Sequence, residues 1–467
     1  MGIRRGGYSG HATRHPRRRI SSYRHRVRNE LCEVGNMSDR QLIDSPRAWL
    51  TVVATFFSSG VALGTVYSFG AFFQSMADDF GTGKGSTAVI FGLTTFSFFW
   101  LSLITSRLSD RYGPRPVLAA GAVALFVGLW ATSNVNSIGI GYVTFGVGAG
   151  IAAACAYVPM VAHVGGWFEK SRATAVGISV AGIGVGTLIM NPLAARLIDL
   201  YSWRTTYRIF AVVGSLILLV GTFMMARAPG EAGAAPSKVR EAFRSPTFRR
   251  LWIAALCYAT ALFIPFVFAV PYAKERGISP IAAATLVGLL GGSSVLSRIG
   301  FSWLTNQFGT FRIFRFGFVL CPIAFTIWLL AGSSFATLAI FMIIMGIGYG
   351  SFVAVSPLVL ADLFGVVGLG SLMGIFYTAC GLGALIGPPM AGRIIDVQDS
   401  YTMPMLVGLG LGLIAFLLLT LLPTTPSGNI SVAEVQQEES QGTGSEVAMA
   451  MTAFDEALME LEDWLEP

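Results

Sequence analysis

The sequence predicts an all-α membrane protein with twelve transmembrane helices in two pseudo-symmetric six-helix halves. Three observations predict this fold class: a composition poor in charge, a series of long apolar stretches, and an internal repeat. Of the 467 residues, 54% are hydrophobic and only 12% are charged, whereas a soluble globular protein carries about 25% charged residues. Such a chain cannot cover itself with a polar surface. The same composition excludes disorder for most of its length.

Apolar stretches of the length needed to cross a bilayer, about 20 residues each, form two groups of six separated by a polar interval. They lie near residues 48–73, 86–106, 116–133, 137–162, 173–195, 206–226, 251–273, 281–304, 313–331, 336–361, 371–394 and 403–422. The predicted organisation is a basic, disordered N-terminal tail (1–46), a first half (47–226), a cytoplasmic connector (227–250), a second half (251–422) and an acidic C-terminal tail (423–467).

Lys and Arg in the short loops predict the orientation, because cytoplasmic loops carry an excess of these residues. The loops after the second, fourth, sixth and eighth stretches are rich in them, and the opposite loops hold fewer. Both termini are therefore expected in the cytoplasm of a multi-pass cell-membrane protein. The Arg-rich segment at the start has no apolar run, so it is not a secretory signal. Met37 remains an alternative start to Met1.

An internal repeat supports two related halves, which is one of the plans on which transporters are built. Residues 177–199 and 374–396 align without a gap, and their polar and helix-breaking positions match as well as their apolar ones. The glycines are interpreted as packing positions, and each Arg, with an Asp three residues later, is expected to form an ion pair near a helix end. The matched pairs are Gly184/Gly381, Gly186/Gly383, Pro192/Pro389, Arg196/Arg393 and Asp199/Asp396.

Several function classes lack their sequence signals. None of the five cysteines forms a CxxC pair, which argues against a disulfide framework or a zinc site. No GxxxxGK[ST] loop is present, so ATP-driven transport is not indicated. No triad spacing or metal-ligand cluster suggests an enzyme. We therefore expect no metal, no cofactor and no nucleic-acid partner.

The loop after the second stretch reads SRLSDRYGPRPVL. It resembles the hallmark of the major facilitator superfamily, GxLxDRxGxRxxL, and lies in the required place between predicted helices 2 and 3. This resemblance implies the major facilitator fold, with conformational gating by Asp110, Arg111, Gly113 and Arg115. Glycine permits a tight turn here, and the carboxylate can pair with arginines and helix ends. In the second copy of the loop, the Asp and Arg are replaced by Asn306 and Gln307.

Within the superfamily, three stretches are similar to the monocarboxylate transporter and oxalate/formate antiporter branch. They are RAWLTVVATFFSSGVALGTVYSFGAFF in helix 1, VLSRIG in helix 8 and YTACGLGALIGPPMAGRIID in helix 11. Two departures narrow what the resemblance implies. The oxalate-type antiporters carry Lys where this chain has Cys380, and animal monocarboxylate carriers place an acid where this chain has Ser294.

One charged side chain, Arg298, lies well inside the apolar stretches. An ionisable group there costs at least about 2.5 kcal/mol and marks function by default. Its guanidinium fork matches a carboxylate, and the resemblance places a buried arginine at the same position. Snorkelling towards the interface is the structural alternative. Further candidates for substrate binding are Tyr67, Tyr157, Asn191, Tyr349, Tyr377 and Cys380, and each tyrosine could instead bond a helix backbone.

These observations favour secondary active transport of a small organic monocarboxylate, such as lactate or pyruvate, by alternating access with proton coupling. The partners would be the organic anion, protons and the lipid bilayer, and one chain is expected to be the transport unit. The alternatives are an organic anion exchanger, an efflux carrier for a metabolite or drug, and a membrane sensor that no longer transports.

Overall fold

The computed structural model describes residues 45–168, 171–227, 245–364 and 369–421. The described residues form helices and no strand, and twelve helices are long and apolar enough to cross a membrane. The predicted fold class is confirmed. The helices are α1 (Pro46–Phe80), α2 (Lys84–Tyr112), α3 (Pro114–Thr132), α4 (Ile138–Gly166), α5 (Arg172–Leu200), α6 (Trp203–Met224), α7 (Pro246–Glu275), α8 (Pro280–Phe308), α9 (Thr310–Leu330), α10 (Phe335–Phe364), α11 (Leu369–Gln398) and α12 (Thr402–Thr420). The predicted tails, Met37 and most of the connector lie outside the described residues.

Ser–Pro pairs begin three of these helices. In α1 and α8 the hydroxyls of Ser45 and Ser279 accept the backbone N–H three residues on, each at 3.4 Å. The proline that follows occupies the first helical position, where its missing N–H costs nothing. The pair Ser245–Pro246 also begins α7, without a capping hydrogen bond from the Ser245 hydroxyl, and α7 thus begins inside the segment predicted as connector.

Two of the longest spans are interrupted near the middle of the bundle. Helix α1 breaks at Ser68, which separates Pro46–Tyr67 from Phe69–Phe80. Helix α4 contains a π-helical turn at Tyr142–Val147 and breaks again at Tyr157. At a break the backbone leaves the regular helical path, so the direction of the helix changes beside the break. Tyr67 and Tyr157 both occupy such positions.

Glycines of α5 and α11 bring the two halves together. Gly186 packs against the backbone of α1, in its own half, and Gly184 packs against α8 of the other half. Gly383 of α11 likewise packs against α7, and Gly381 packs against α2 of the first half. The interpretation of these residues as packing glycines is therefore confirmed. The two copies of the repeat also have the same structural role, because each contributes one helix that contacts both halves.

The halves also meet where α1 ends and α2 begins; we call this side of the bundle the α1–α2 face, and the opposite side the α2–α3 face. Gly70 of α1 lies against the carbonyl of Phe266 in α7, so closely that a Cβ would collide with it. Further along, the rings of Phe73 and Phe268 meet edge to face with centroids 5.2 Å apart. These contacts join α1 to α7 across the boundary between the halves.

The two repeated Arg–Asp pairs behave differently. The Arg196–Asp199 ion pair forms as predicted, with 3.8 Å between the charged atoms, and both side chains are exposed. The prediction of an equivalent Arg393–Asp396 pair is wrong. The two carboxylate oxygens of Asp396 instead accept the first two backbone N–H groups of α2, at 2.7 and 2.8 Å. Because those N–H groups have no partner within α2, the carboxylate is better placed there than beside an exposed arginine.

Glycine is required at the turn between α2 and α3. Gly113 has φ +89° and ψ 169°, and Gly309 has φ +86° and ψ 145° at the matching turn between α8 and α9. This region of backbone space is essentially limited to glycine. Neither glycine has a neighbouring atom that an added Cβ would meet. The requirement is therefore conformational.

We expect Gly113→Ala to lower the apparent melting temperature of the purified protein, because the strained backbone costs about 1–3 kcal/mol. Gly139→Ala is the matched control: it also places a Cβ in open space, but its backbone is not in the positive-φ region. Thermal unfolding in detergent measures both. Equal melting temperatures for the two variants would contradict the conformational argument.

Candidate substrate-binding site

Arg298 of α8 is the charged residue around which the candidate site is built. Its side chain is 7% exposed, although it lies within two residues of lipid-facing Leu296 and Ile299. The guanidinium Nη1 donates to the carbonyl oxygen of Val180 in α5 at 2.7 Å. The side chain is therefore turned inward and bonds the opposite half of the protein.

Tyrosine hydroxyls from both halves lie near this cation. The guanidinium carbon is 5.5 Å from the centre of the Tyr349 ring, in cation–π range. The Tyr349 hydroxyl lies 3.5 Å from that of Tyr67, which reaches it from α1. Tyr67 is held by Phe266, with ring centroids 4.8 Å apart. Tyr67 is the last residue of α1 before the break at Ser68, and its hydroxyl meets a residue of the opposite half.

Tyr157 and Tyr377 extend the group towards α4 and α11. Both are half-buried, and Phe98 and Phe99 of α2 lie between their rings: Tyr157 is 6.1 Å from Phe98, and Tyr377 is 6.0 Å from Phe99, as ring-centroid distances. Tyr157 lies at the break in α4. The Tyr377 hydroxyl is hydrogen-bonded to Ser356 of α10 at 2.9 Å. The four predicted tyrosines thus form two pairs: Tyr67 and Tyr349 beside Arg298, and Tyr157 and Tyr377 joined through two phenylalanine rings of α2.

Cys380 and Asn191 are placed less directly. Cys380 is buried one helical turn beyond Tyr377 and is a free, neutral thiol. Asn191 is fully buried and donates to the carbonyl of Thr187 at 2.9 Å. It lies eleven residues along α5 from Val180, or about 16 Å at 1.5 Å per residue. The contacts of the described residues therefore group Cys380 with the tyrosines, and leave Asn191 at some distance from Arg298.

Two contacts of the site have no signal in the sequence. The carbonyl of Val180 is a backbone group, so no residue type marks it. Ser356 is an ordinary hydroxyl in an apolar helix, and only the fold brings it to Tyr377. The buried arginine itself was marked by charge, and the tyrosines by polar atoms in apolar surroundings.

The predicted gating loop lies on the α2–α3 face. Gly113 makes the turn, and Arg115 donates from Nε to the carbonyl of Met225, at the C-terminal end of α6, at 2.7 Å. A cation at that position interacts favourably with the helix dipole. Arg227 donates to the backbone carbonyl of Asp110 at 3.0 Å. Asp110 and Arg111 are exposed. The loop thus ties the ends of α2, α3 and α6 together within the first half.

The site has the chemistry of a binding site for an anion. An arginine is always protonated in proteins, and its attraction for a carboxylate strengthens in surroundings of low dielectric constant. The tyrosine hydroxyls donate or accept hydrogen bonds beside it. Arg298 of α8 bonds α5 and contacts the Tyr349 ring of α10, and Tyr349 in turn meets Tyr67 of α1. Two helical halves with polar groups between them are the plan of a class of membrane carriers.

Comparison with known proteins identifies the family. The family model of the Major Facilitator Superfamily matches residues 55–328 and 301–448. The chain belongs to the Major Facilitator Superfamily and is a transporter by family, not an enzyme.

Its curated relatives include monocarboxylate transporters. Monocarboxylate transporter 12 of Xenopus laevis is 27% identical over 391 residues, which cover 77% of this chain and 85% of the relative. Monocarboxylate transporter 4 of Rattus norvegicus is 28% identical over 379 residues, covering 77% and 79%. MFS-type transporter 1 of Ophiocordyceps sp. is 28% identical over 354 residues, covering 75% and 79%. The resemblance to the monocarboxylate transporter branch is confirmed.

Among solved structures, the nucleoside transporter NupG, crystallised as a point mutant, has the same fold. The TM-score is 0.64 at 13% sequence identity, and the alignment covers 80% of this chain and 99% of NupG. At this identity the likeness bears on the fold alone.

Proposed function

We propose that this protein is a secondary active transporter of small organic monocarboxylates that works by alternating access. The observation that carries the proposal is Arg298: a buried guanidinium that bonds the opposite half and lies beside the ring of Tyr349, whose hydroxyl is 3.5 Å from that of Tyr67. A carboxylate would accept hydrogen bonds from the guanidinium, and the tyrosine hydroxyls would bond an oxygen on the same small acid. The names of the monocarboxylate transporter relatives agree with this substrate class.

The charge of the site favours a monoanion. Arg298 supplies one positive charge, and the neutral thiol of Cys380 occupies the position where oxalate-type antiporters carry a lysine. A dicarboxylate would bring two negative charges to one cation and leave the second charge in an apolar site. Burying such a charge without a partner is costly.

The position of the site between the halves supports alternating access. Arg298 belongs to α8 and bonds α5, and Tyr67 and Tyr349 come from opposite halves. A substrate held by these residues touches both halves at once. A change in their relative position therefore changes the contacts of the substrate, which is the requirement for a ligand to shift a conformational equilibrium.

Proton coupling and orientation complete the proposal. A proton and a monoanion cross together without net charge. The excess of Lys and Arg on the α2–α3 face supports a cytoplasmic position for that face and for both termini. The transport unit is one chain in the cell membrane.

Removing the guanidinium is expected to weaken substrate binding. We expect Arg298→Ala to lower kcat/KM for lactate or pyruvate about 100-fold or more, because charged hydrogen bonds of about 1.5–3 kcal/mol are lost. Arg298→Lys keeps the charge without the fork and is expected to retain part of the activity. Uptake of labelled acid into vesicles is the measurement. Arg196→Ala, on an exposed ion pair, is the control, and wild-type uptake by Arg298→Ala would refute the role of Arg298.

The hydroxyl of Tyr349 is expected to contribute one neutral hydrogen bond. Tyr349→Phe retains the ring beside the guanidinium and should raise KM about three- to tenfold, with little change in the amount of folded carrier. Tyr201→Phe is the control, since that tyrosine is 65% exposed at the end of α5. Equal KM values for the two variants would show that the ring alone acts at the site.

Proton coupling predicts that an inward proton gradient drives uptake of the labelled acid above its equilibrium level. Vesicles with and without the gradient measure this, with a proton ionophore as control. If uptake is the same with and without the proton gradient, and instead requires a second organic acid on the opposite side of the vesicle membrane, the protein is an organic anion exchanger. Export driven under the same conditions would favour an efflux carrier.

A further inference from the structure

The N-termini of α2 and α8 occupy matching places in the two halves, but their capping residues differ. Helix α8 follows Ser279, whose hydroxyl accepts the N–H of Ala282. Helix α2 follows Gly83, which has no side chain to offer. The first N–H groups of a helix need an acceptor, so α2 depends on another part of the protein for its cap.

Asp396 supplies that cap from the other half. Its two carboxylate oxygens accept the backbone N–H groups of Lys84 and Gly85, and the negative charge suits the positive end of the helix dipole. The repeat-equivalent Asp199 is not used in this way, since it pairs with Arg196 on its own helix. Beside Asp199 and the start of α8 lies an open crevice of about 280 Å³.

Three further side chains reinforce the same contact. Lys84 Nζ lies 2.6 Å from a carboxylate oxygen of Glu275, at the end of α7. The Tyr401 hydroxyl donates to that carboxylate at 2.7 Å and lies 3.1 Å from Lys84 Nζ. Burial, followed by the hydrogen bond to Glu275, raises the pKa of Tyr401, so its hydroxyl remains a donor over the physiological range. The group joins α2 of the first half to α7, α11 and the start of α12.

We propose that Lys84, Glu275, Asp396 and Tyr401 form a latch that holds the α1–α2 face closed, and that Gly83 strengthens the latch by leaving α2 dependent on Asp396 for its cap. The four residues are the α1–α2 latch. When the halves separate on this face, α2 loses the acceptor of its first two N–H groups and Lys84 loses Glu275. Loss of this contact therefore adds to the free-energy cost of opening. A serine at position 83 would reduce that cost, because its hydroxyl would cap α2 from within the same half. The proposal concerns the conformational cycle and does not depend on the substrate.

Accessibility of a buried cysteine tests the latch. Ala88 lies on α2 between Gly85 and Gly92, which both face α11, and it is fully buried. In a background without the native cysteines, the rate at which a methanethiosulfonate reagent modifies Ala88→Cys reports the fraction of open molecules. We expect Asp396→Asn to raise this rate about tenfold, since hydrogen bonds to a charged group are lost. Lys84→Gln is expected to raise it as well.

Asp199→Asn is the matched control, because it changes the repeat-equivalent carboxylate, and it should leave the rate within about twofold of the background. Gly83→Ser distinguishes an opened latch from a loss of folded protein. The serine hydroxyl would cap α2, and the serine Cβ, 2.6 Å from an Asp396 oxygen, would displace that carboxylate. Gly83→Ser should therefore raise the rate of modification at Ala88→Cys without lowering the melting temperature. Equal rates for Asp396→Asn and Asp199→Asn, or an unchanged rate for Gly83→Ser, would overturn the latch. Neither readout uses a monocarboxylate, so failure of the proposed function would be seen separately as absent uptake.

Discussion

Close contact between helix backbones at glycine is the constraint on which the rest of the structure depends. In a bilayer, apolar side chains do not drive helices together, so association relies on packing at small residues and on the polar contacts that packing permits. Gly184 and Gly381 allow α5 and α11 to touch the opposite half. The approach of α5 to α8 also brings the Val180 carbonyl within reach of Arg298. The bond that orients the candidate binding residue thus exists because a neighbouring glycine lets the helices meet.

Among the described residues, Arg298 is the one buried arginine or lysine, and this would limit what the proposed carrier binds. In the proposed site, each tyrosine would supply a neutral hydrogen bond of about 0.5–1.5 kcal/mol, whereas a charged pair in the same place would contribute more. The arginine would therefore select the substrate by charge, and the tyrosines would select it by shape and by further oxygen atoms. This division follows from the contacts among α1, α8 and α10.

The sequence predicted the features that depend on residue type and missed those that depend on spatial approach. The apolar stretches predicted the twelve helices, and the repeat predicted the packing glycines, because both signals are periodic and local. Gly113 was predicted from its motif, and its positive φ shows why glycine is needed. The Arg393–Asp396 pair was predicted from spacing alone and was wrong, since a helix end from the other half competes for the carboxylate. Spacing along one helix cannot reveal such a competitor.

That error explains how two similar halves become unequal. Repeated halves would by themselves give two equivalent caps on the α1–α2 face, one at α2 and one at α8. A single difference, glycine at position 83 against serine at position 279, leaves α2 without a local acceptor and lets α8 keep its own. One repeated aspartate then remains within its half and the other crosses between halves. Of the two aspartates, only Asp396 makes contacts that change when the halves move, so the repeated carboxylates contribute unequally to closing this face. A carrier with symmetric architecture can in this way favour one conformation without any change in its central site.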